Sequence, residues 1–342
     1  MLNNTSKMAT KWGIIGAGKI SNDFVAAVKS LQDQEHEFVA VAARNLSSAQ
    51  LFASTHGIPK VYGSYEELAH DSNVEVVYIG IVNSRHFPVG KVMLESGKHV
   101  LMEKPMTLNA RQTTALIEVA KRNNKFLMEA IWSRFLPSYN CLMDLIKKQE
   151  IVGDIVHVQA NLGINMAYRE RFVTKALGGG TVLDLGIYPL NAVTMIYKGE
   201  MPSKIAAVGH LNEDGVDIGM TCSLQYSNNK TASITTSGIA ELPCDMVITG
   251  TNGRLKIPNS MYAALTIETP DKTYNFPLQE SETPTNYPGS NGLKYEAMEV
   301  RKCIQNGLLE SSIMPMEDSK MMAQIMDEIH RQIGVTYVEE EI

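Results

Sequence analysis

The 342-residue sequence lacks most features that mark membrane, secreted or metal-binding proteins. No apolar run approaches the roughly 20 residues of a membrane-spanning helix, and the polar residues 1–10 contain no apolar signal core. Four scattered cysteines form no C-x-x-C pair, which predicts reduced thiols in a cytoplasmic protein. No group of His, Cys, Asp and Glu has the spacing of metal ligands, so we expect a metal-free site.

An excess of positive charge is also absent. The formal net charge of −6 argues against nucleic acids and anionic membranes as partners, because both attract basic surfaces. There is no internal repeat and no low-complexity tract. Hydrophobic residues make up 44% of the chain, an ordinary share for a protein with substantial cores, and the length predicts about two domains.

The clearest motif is a glycine turn between an apolar strand and an amphipathic helix. Gly16 permits a tight turn, and Gly18 lets a pyrophosphate approach the backbone at the helix N-terminus, where the helix dipole favours an anion. With Lys19 and Ile20, which open the helix, these residues are predicted to bind a dinucleotide; a plain structural turn is the alternative. Ser21 replaces the usual third glycine and is small enough for close packing. A P-loop is excluded because Ile20 cannot hold magnesium.

The tip of the second predicted strand indicates which dinucleotide binds. NAD sites usually place Asp or Glu there to accept hydrogen bonds from the ribose. This chain has Ala43 and Arg44 instead, which removes the repulsion toward a 2′-phosphate and adds a planar cation. The sequence therefore favours NADP, with NAD possible, unless Arg44 is only a solvated loop cation.

Strands alternate with helices over the first 130 residues, which predicts a doubly wound parallel sheet with right-handed crossovers. An apolar strand at residues 74–82 leads directly into Asn83 and His86. Open parallel sheets place ligands at the carboxyl ends of strands, so both are candidate cofactor contacts. A surface or helix-capping role for His86 is equally compatible with its position.

The second half of the sequence has a different pattern of strands and helices from the first. Several alternating strands joined by hairpin signals, with helices before and after them, predict a mainly antiparallel sheet of the α+β type. We therefore expect a dinucleotide-binding Rossmann domain at residues 1–130 and a substrate-binding and oligomerisation domain at residues 131–342.

Glu103-Lys104-Pro105 follows another predicted strand, an unusual place for solvated charges, although a structural ion pair would also explain it. With the glycine turn, this tripeptide resembles the Gfo/Idh/MocA oxidoreductases. The chain is most similar to their branch of dimeric dihydrodiol and NADP-dependent D-xylose dehydrogenases in four segments, residues 41–44, 62–68, 127–135 and 183–188. The resemblance implies a nicotinamide cofactor beside Glu103 and Lys104, and a sugar, polyol or cyclic trans-diol as substrate. It also implies a homodimer that pairs through the exposed face of the second sheet.

Hydride transfer from an alcohol requires that the hydroxyl proton leave, and the resemblance points to Lys104 and Tyr188 for that step. A tyrosine pKa near 10 is too high for an efficient base at neutral pH, and a neighbouring ammonium is expected to lower it. A predicted helix at residues 181–197 carries Asp184 and Tyr188 four residues apart, hence on one face. Asp184 could hold Lys104 or a substrate hydroxyl. Most family members have histidine in place of Tyr188, so either Tyr188 or Lys104 could accept the proton.

Trp132 and Arg134 resemble the family's pocket-wall segment and are further candidate contacts to the cofactor. An aromatic wall suits a cyclic substrate, although Trp132 could equally be part of the core. Two other functions stay open: reduction of an anhydro-sugar ketone on the same fold, and a sensor that binds nicotinamide nucleotides without catalysis. Lys104, Asp184 and Tyr188 argue against the sensor.

Overall fold

The first part of the chain forms a parallel sheet flanked by helices, as its pattern predicts. The computed structural model describes residues 8–32, 34–147 and 151–337, so residues 1–7 of the polar tail lie outside it. The strands are β1 Thr10–Ile15, β2 His36–Ala42, β3 Lys60–Tyr62, β4 Val76–Ile79, β5 His99–Glu103 and β6 Leu127–Ala130. The helices are α1 Lys19–Lys29, α2 Leu46–His56, α3 Tyr65–Ala69, α4 His86–Glu95 and α5 Ala110–Arg122.

The strand order is β3-β2-β1-β4-β5-β6, and every pair is parallel. β1 and β4 are neighbours although β2 and β3 separate them along the chain. The sheet therefore continues from β1 to β2 and β3 on one side, and from β4 to β5 and β6 on the other. The carboxyl ends of β1 and β4 therefore open a crevice, which is where doubly wound sheets bind ligands. β4 is shorter than the predicted strand at residues 74–82.

The second half builds a larger sheet. Its strands are β7 Ile155–Gly163, β8 Lys204–Leu211, β9 Asp217–Gln225, β10 Thr231–Ser237, β11 Met246–Gly250, β12 Arg254–Ile257, β13 Thr266–Glu268 and β14 Thr273–Asn275. They follow the order β14-β13-β12-β11-β7-β10-β9-β8, and all neighbours are antiparallel except β7 and β10. The helices are α6 Pro137–Lys147, α7 Glu170–Val173, α8 Ile187–Ile196, α9 Lys294–Gln305 and α10 Met316–Ile333. The predicted fold class is confirmed.

The two halves share one hydrophobic core. A single cluster of buried side chains runs from Trp12 and Phe24 in the first half to Ile248 and Ile325 in the second. The last part of the chain returns to the first sheet, where the Arg301 guanidinium donates to the hydroxyl of Thr10 (3.0 Å). The position of the boundary near residue 130 stays a prediction, since residues beyond 290 pack on both sheets.

The described residues contain no disulfide and no membrane-spanning helix. All four thiols are free; Cys222 and Cys303 are buried, whereas Cys141 and Cys244 are only half-buried. Among the described residues, no helix combines the length and apolarity needed to span a bilayer.

Candidate active site

The glycine turn is built as the sequence predicts. Gly16 has φ +96°, and a Cβ there would lie 2.4 Å from the carbonyl oxygen of Gly80, so only glycine fits. Gly80 compensates for the missing third glycine: a Cβ on Gly80 would lie 2.6 Å from Ser21 Oγ. α1 can therefore pack closely on the end of β4 although Ser21 is not glycine.

The N-terminus of α1 has the properties of an anion site. Gly18 is its N-cap and offers no side chain to the free N–H groups of the first turn, which contains no acidic residue. A Cβ on Gly18 would meet no atom closer than 3.9 Å, so its outer side is open. Lys19 is exposed beside it, and Ile20 is half-buried against the core. These residues fit a dinucleotide phosphate, which would receive the free N–H groups and the positive end of the dipole.

Two further predicted contacts lie at neighbouring strand ends. Arg44 is exposed beyond β2 and lies beside the hydroxyl of Tyr65: burial raises the pKa of Tyr65, while the charge and hydrogen bond of Arg44 act against that rise. Asn83 follows β4, and its side-chain amide donates to the carbonyl oxygen of Gly178 (2.9 Å). Asn83 thus joins the crevice to the glycine-rich loop of the second half.

Glu103 and Lys104 lie at the end of β5, as predicted. Glu103 is buried, and its carboxylate accepts from the hydroxyl of Tyr78 (2.5 Å) and the backbone N–H of Lys104 (3.2 Å). Burial raises the pKa of Glu103, and the charge of Lys104 acts in the opposite direction. Glu103 therefore fixes the backbone of Lys104; a direct contact with the cofactor stays a prediction.

Lys104 and Asp184 meet across the two halves. The Lys104 ammonium donates to the backbone carbonyl of Asp184 (2.8 Å) and lies 3.2 Å from its carboxylate. Arg171 on α7 holds the same carboxylate, 3.0 Å from Oδ1 and 2.9 Å from Oδ2. Burial by itself would raise the pKa of Asp184, but the charges and hydrogen bonds of Lys104 and Arg171 outweigh it and lower the pKa to about 2. The cluster is one carboxylate with two cations.

Tyr188 lies beside this cluster, and its hydroxyl contacts the aromatic residue Trp132. Trp132 Nε1 donates to the Tyr188 hydroxyl (2.9 Å), and the rings of Tyr188 and Tyr262 lie 5.8 Å apart. Lys104 Nζ lies over the Tyr188 ring, 5.0 Å from its centroid, rather than at its hydroxyl.

The expectation that Lys104 lowers the pKa of Tyr188 is wrong for this structure. Burial raises that pKa well above 10, the charge of Glu103 adds to the rise, and the Trp132 hydrogen bond acts in the opposite direction. Tyr188 is therefore a neutral phenol at neutral pH.

The helix that carries these residues also differs from its prediction at residues 181–197. Val182–Gly186 forms a π-helical segment, and α8 begins only at Ile187. Such wide turns often occur at functional sites. The four-residue spacing of Asp184 and Tyr188 therefore spans two kinds of helix, so their shared face cannot be read from the α-helical period.

Two predicted cofactor contacts are buried in this structure, and their contact with the cofactor stays a prediction. Arg134 is 2% exposed, and its guanidinium donates to the Asp318 carboxylate (2.6 Å) and to the carbonyl oxygen of Ile313 (2.9 Å). Its charge is therefore paired inside the protein. His86 is 0% exposed, with Nδ1 2.8 Å from the carbonyl oxygen of Pro105, which makes it a support for the segment after Lys104. Burial lowers the pKa of His86 to about 4, so the ring is neutral.

Sequence reasoning missed Arg171 and Tyr262. Arg171 follows β7 in a segment without a motif, and Tyr262 lies in a single 3-10 turn after β12. Nothing in their local sequence distinguishes them from other exposed Arg and Tyr residues. Within residues 8–32, 34–147 and 151–337, no three His, Cys, Asp or Glu side chains group as metal ligands do.

Comparison with known proteins identifies the family. Residues 10–131 match the Gfo/Idh/MocA oxidoreductase family with its NAD-binding Rossmann fold, and residues 141–256 match the C-terminal domain of the same family. A trans-1,2-dihydrobenzene-1,2-diol dehydrogenase of Xenopus tropicalis is 45% identical over 330 residues, which cover 96% of this chain and 100% of the relative. The chain belongs to the Gfo/Idh/MocA family.

As a member of this family, the chain is an NAD(P)-binding oxidoreductase. It is also similar to proteins of other vertebrates that have the same name as the Xenopus relative. The human trans-1,2-dihydrobenzene-1,2-diol dehydrogenase is 39% identical, with 96% of this chain and 98% of the relative covered. Similarity of this kind extends over both halves, so the family's two-domain fold applies to the whole described chain.

Solved structures of lower identity share the fold. A 3-ketoreductase from Actinomadura kijaniata in complex with NADP and TDP-benzene has a TM-score of 0.81 at 22% identity, covering 97% of this chain and 100% of the other. A levoglucosan dehydrogenase in complex with NADH and levoglucosan has a TM-score of 0.82 at 19% identity, covering 95% and 97%. Nicotinamide nucleotides with and without a 2′-phosphate thus occur on this fold.

Proposed function

We propose that the protein is an NADP-dependent dehydrogenase that interconverts a secondary alcohol and its ketone on a sugar, polyol or cyclic trans-diol. The observation that carries the proposal is the meeting of Lys104, Asp184 and Tyr188 beside the carboxyl end of β5. Two domains contribute to this cluster, which therefore lies next to the crevice expected to hold the nucleotide. The names of the relatives support diols as the substrate class.

A bound nicotinamide would supply the hydride acceptor or donor, and this chain's residues would control the proton. The Lys104 ammonium is the one cation of the cluster close to the Tyr188 ring, so it can stabilise a developing alkoxide. Asp184 orients that ammonium, and Arg171 forms a second ion pair with the same carboxylate. The neutral Tyr188 phenol is ready to give a proton to a carbonyl oxygen during reduction.

Oxidation runs the same proton transfer in reverse, so it needs Tyr188 as a phenolate or Lys104 as the acceptor. The raised pKa of Tyr188 makes its phenolate scarce at neutral pH, which favours reduction there and oxidation at alkaline pH. Tyr188 is therefore the proposed acid–base residue, with Lys104 as its electrostatic partner.

The proposed preference for NADP rests on Arg44. Its exposed guanidinium lies beyond β2 beside the hydroxyl of Tyr65, and no acidic residue occupies the tip of β2. A guanidinium can bind a phosphate through two parallel hydrogen bonds, and a tyrosine hydroxyl can add a third. NAD would lose these contacts without meeting a repulsive group, so we expect weaker binding of NAD rather than none.

We propose that the aromatic residues Trp132 and Tyr262 form one wall of the substrate pocket. Trp132 is 4% exposed and lies 6.4 Å from the Tyr262 ring, which also faces Tyr188. Flat aromatic walls pack well against rings that carry few charges, which suits a cyclic diol or a pyranose. The hydroxyls of such a substrate would meet Lys104 and Tyr188 at the end of this wall.

A homodimer through the second sheet also stays a proposal. Outward-facing residues of β8 and β9 are exposed, including Val208 at 73%, and short polar side chains such as Thr221 and Ser223 continue the face. A broad face with little charge can pair with its own copy about a twofold axis. Cytoplasmic location remains a prediction from the scattered thiols.

The test is a substrate panel with both cofactors. Purified protein would be mixed with NADP+ or NAD+ and trans-dihydrodiols, D-xylose, glucose or inositol, and nucleotide reduction would be followed by absorbance. We expect turnover of at least one diol or sugar with a higher kcat/KM for NADP+. NADPH oxidation by ketones with no reverse reaction on any alcohol would support the ketone-reductase alternative. Binding of NADPH without turnover in either direction would refute catalysis.

A further inference from the structure

A segment of the second half lies on the cofactor-binding helix. Residues 281–290, here called the strap, follow β14 and cross to the N-terminal part of α1. The Asn286 side-chain amide donates to the backbone carbonyl of Lys19 (3.3 Å), and Asn22 Nδ2 donates to the carbonyl oxygen of Pro284 (3.2 Å). The strap therefore runs beside the first turn of α1, immediately after Gly18.

One buried carboxylate holds the strap. Asp23 on α1 is 0% exposed and is used by none of the roles assigned above. Its oxygens accept from the backbone N–H groups of Asn286 (2.7 and 2.9 Å) and Tyr287 (2.9 Å), from the Asn286 amide (2.7 Å) and from the Ser290 hydroxyl (2.7 Å). Charge-assisted hydrogen bonds of this kind are about twice as strong as neutral ones. A single side chain thus fixes three residues of the strap.

The strap also reaches the catalytic cluster. The guanidinium of Arg169 lies over the Tyr287 ring, 5.7 Å from its centroid. Arg169 is two residues before Arg171, which holds the Asp184 carboxylate. The strap therefore packs on the segment that carries one of the two cations of the charge cluster.

We propose that Asp23 is a positioning residue that fastens the strap across the dinucleotide-binding end of α1, so that the strap retains the bound nucleotide and must loosen for its release. The retention step rests on the proposed function, whereas the anchor rests on the hydrogen bonds of Asp23. Release of product nucleotide is a common rate-limiting step in enzymes with such closures. Loosening the strap should therefore speed nucleotide dissociation.

Asp23→Asn is the matched test, because it keeps the shape of the side chain and replaces an acceptor oxygen by an NH2 donor. That donor would face the N–H and hydroxyl donors of the strap and cannot accept from them. Asp71→Asn is the control: Asp71 is also a well-buried carboxylate of the first half, but it bonds Lys60 and Tyr62 instead of the strap. Asn286→Ala gives a second test at an exposed position that leaves the Asp23 charge in place.

Two measurements test separately whether Asp23 fixes the strap and whether the strap retains the nucleotide. Hydrogen–deuterium exchange of the apo protein reports on residues 281–290, and stopped-flow fluorescence gives the NADPH dissociation rate. In Asp23→Asn we expect strap amides to exchange at least tenfold faster and NADPH to leave at least tenfold faster, with smaller changes in Asn286→Ala and none in Asp71→Asn.

Unchanged exchange of the strap in both strap variants would overturn the anchor. Faster exchange with an unchanged NADPH dissociation rate would overturn the retention role. If the unmodified protein bound no nicotinamide nucleotide, the proposed function and the retention role would both fail, and the exchange data would still decide whether Asp23 anchors the strap.

Discussion

The Asp184 carboxylate offers the sharpest test of the charge cluster. Lys104 and Arg171 lower its pKa from the ordinary 3.8 to about 2, even though burial acts in the opposite direction. Each unit of pKa shift corresponds to about 1.4 kcal/mol, so the ionised carboxylate stabilises the folded protein at pH 7 by roughly 2 kcal/mol relative to its neutral form. Asp184→Asn imitates that neutral form and should lose at least this amount.

The loss should depend on pH with a defined sign. Because the folded-state pKa is depressed, the stabilisation is complete above the unfolded value of 3.8 and disappears as the pH falls through about 2. Roughly 1 kcal/mol should remain at pH 3. For 342 residues, 2 kcal/mol corresponds to a decrease in Tm of about 3 °C at pH 7.

Thermal and urea unfolding at pH 7, 5 and 3 would measure this difference. Asp271→Asn is the control, because Asp271 is an exposed carboxylate in the turn between β13 and β14. The reasoning would be refuted by an Asp184→Asn protein as stable as its parent at pH 7, or by a deficit of the same size at pH 3 and pH 7.

Three further changes test the proposed chemistry. Lys104→Met should reduce kcat by about 10²- to 10⁴-fold while NADPH binding, followed by fluorescence, is retained; unchanged turnover would remove Lys104 from the mechanism. Arg44→Ala should weaken NADP binding by about 10- to 100-fold, the value of lost charge-assisted hydrogen bonds, and NAD binding much less; calorimetry showing equal losses would exclude the phosphate contact. For alcohol oxidation, kcat/KM should keep rising up to about pH 10 because the pKa of Tyr188 is raised, and Tyr188→Phe should remove that rise; a plateau near neutral pH in the parent would show that the phenol ionises earlier.

Local patterns were sufficient for the parts of the protein in which a short sequence determines its own geometry. Gly16 is required by a positive φ and by the nearby Gly80 carbonyl, and both constraints arise within one strand-turn-helix unit. The strands β8 and β10 alternate exposed side chains with more buried ones, which is the pattern that predicts a strand with one covered face. Lys104 and Asp184 also meet, which is one of the two expected roles of Asp184, although they are 80 residues apart.

Local sequence does not reveal the distant partners of a side chain. The ion pair of Arg134 with Asp318, which is 184 residues further along, has no signal near Arg134. The pKa of Tyr188 depends on burial and on which side of the ring Lys104 occupies, and neither is encoded in the spacing of residues. The π-helical turn at Val182–Gly186 is likewise invisible to a helical period of 3.6 residues.

The hydrophobic core common to both sheets limits how this protein can be recombined with its relatives. Residues 10–130 contain the whole first sheet, yet the side chains of α9 and α10 complete its packing, and Arg301 ties α9 to the first strand. A chimera that transplanted only the N-terminal segment would carry an interior surface without its natural covering. A workable exchange of this segment with that of a relative should therefore transfer the two C-terminal helices together with residues 10–130.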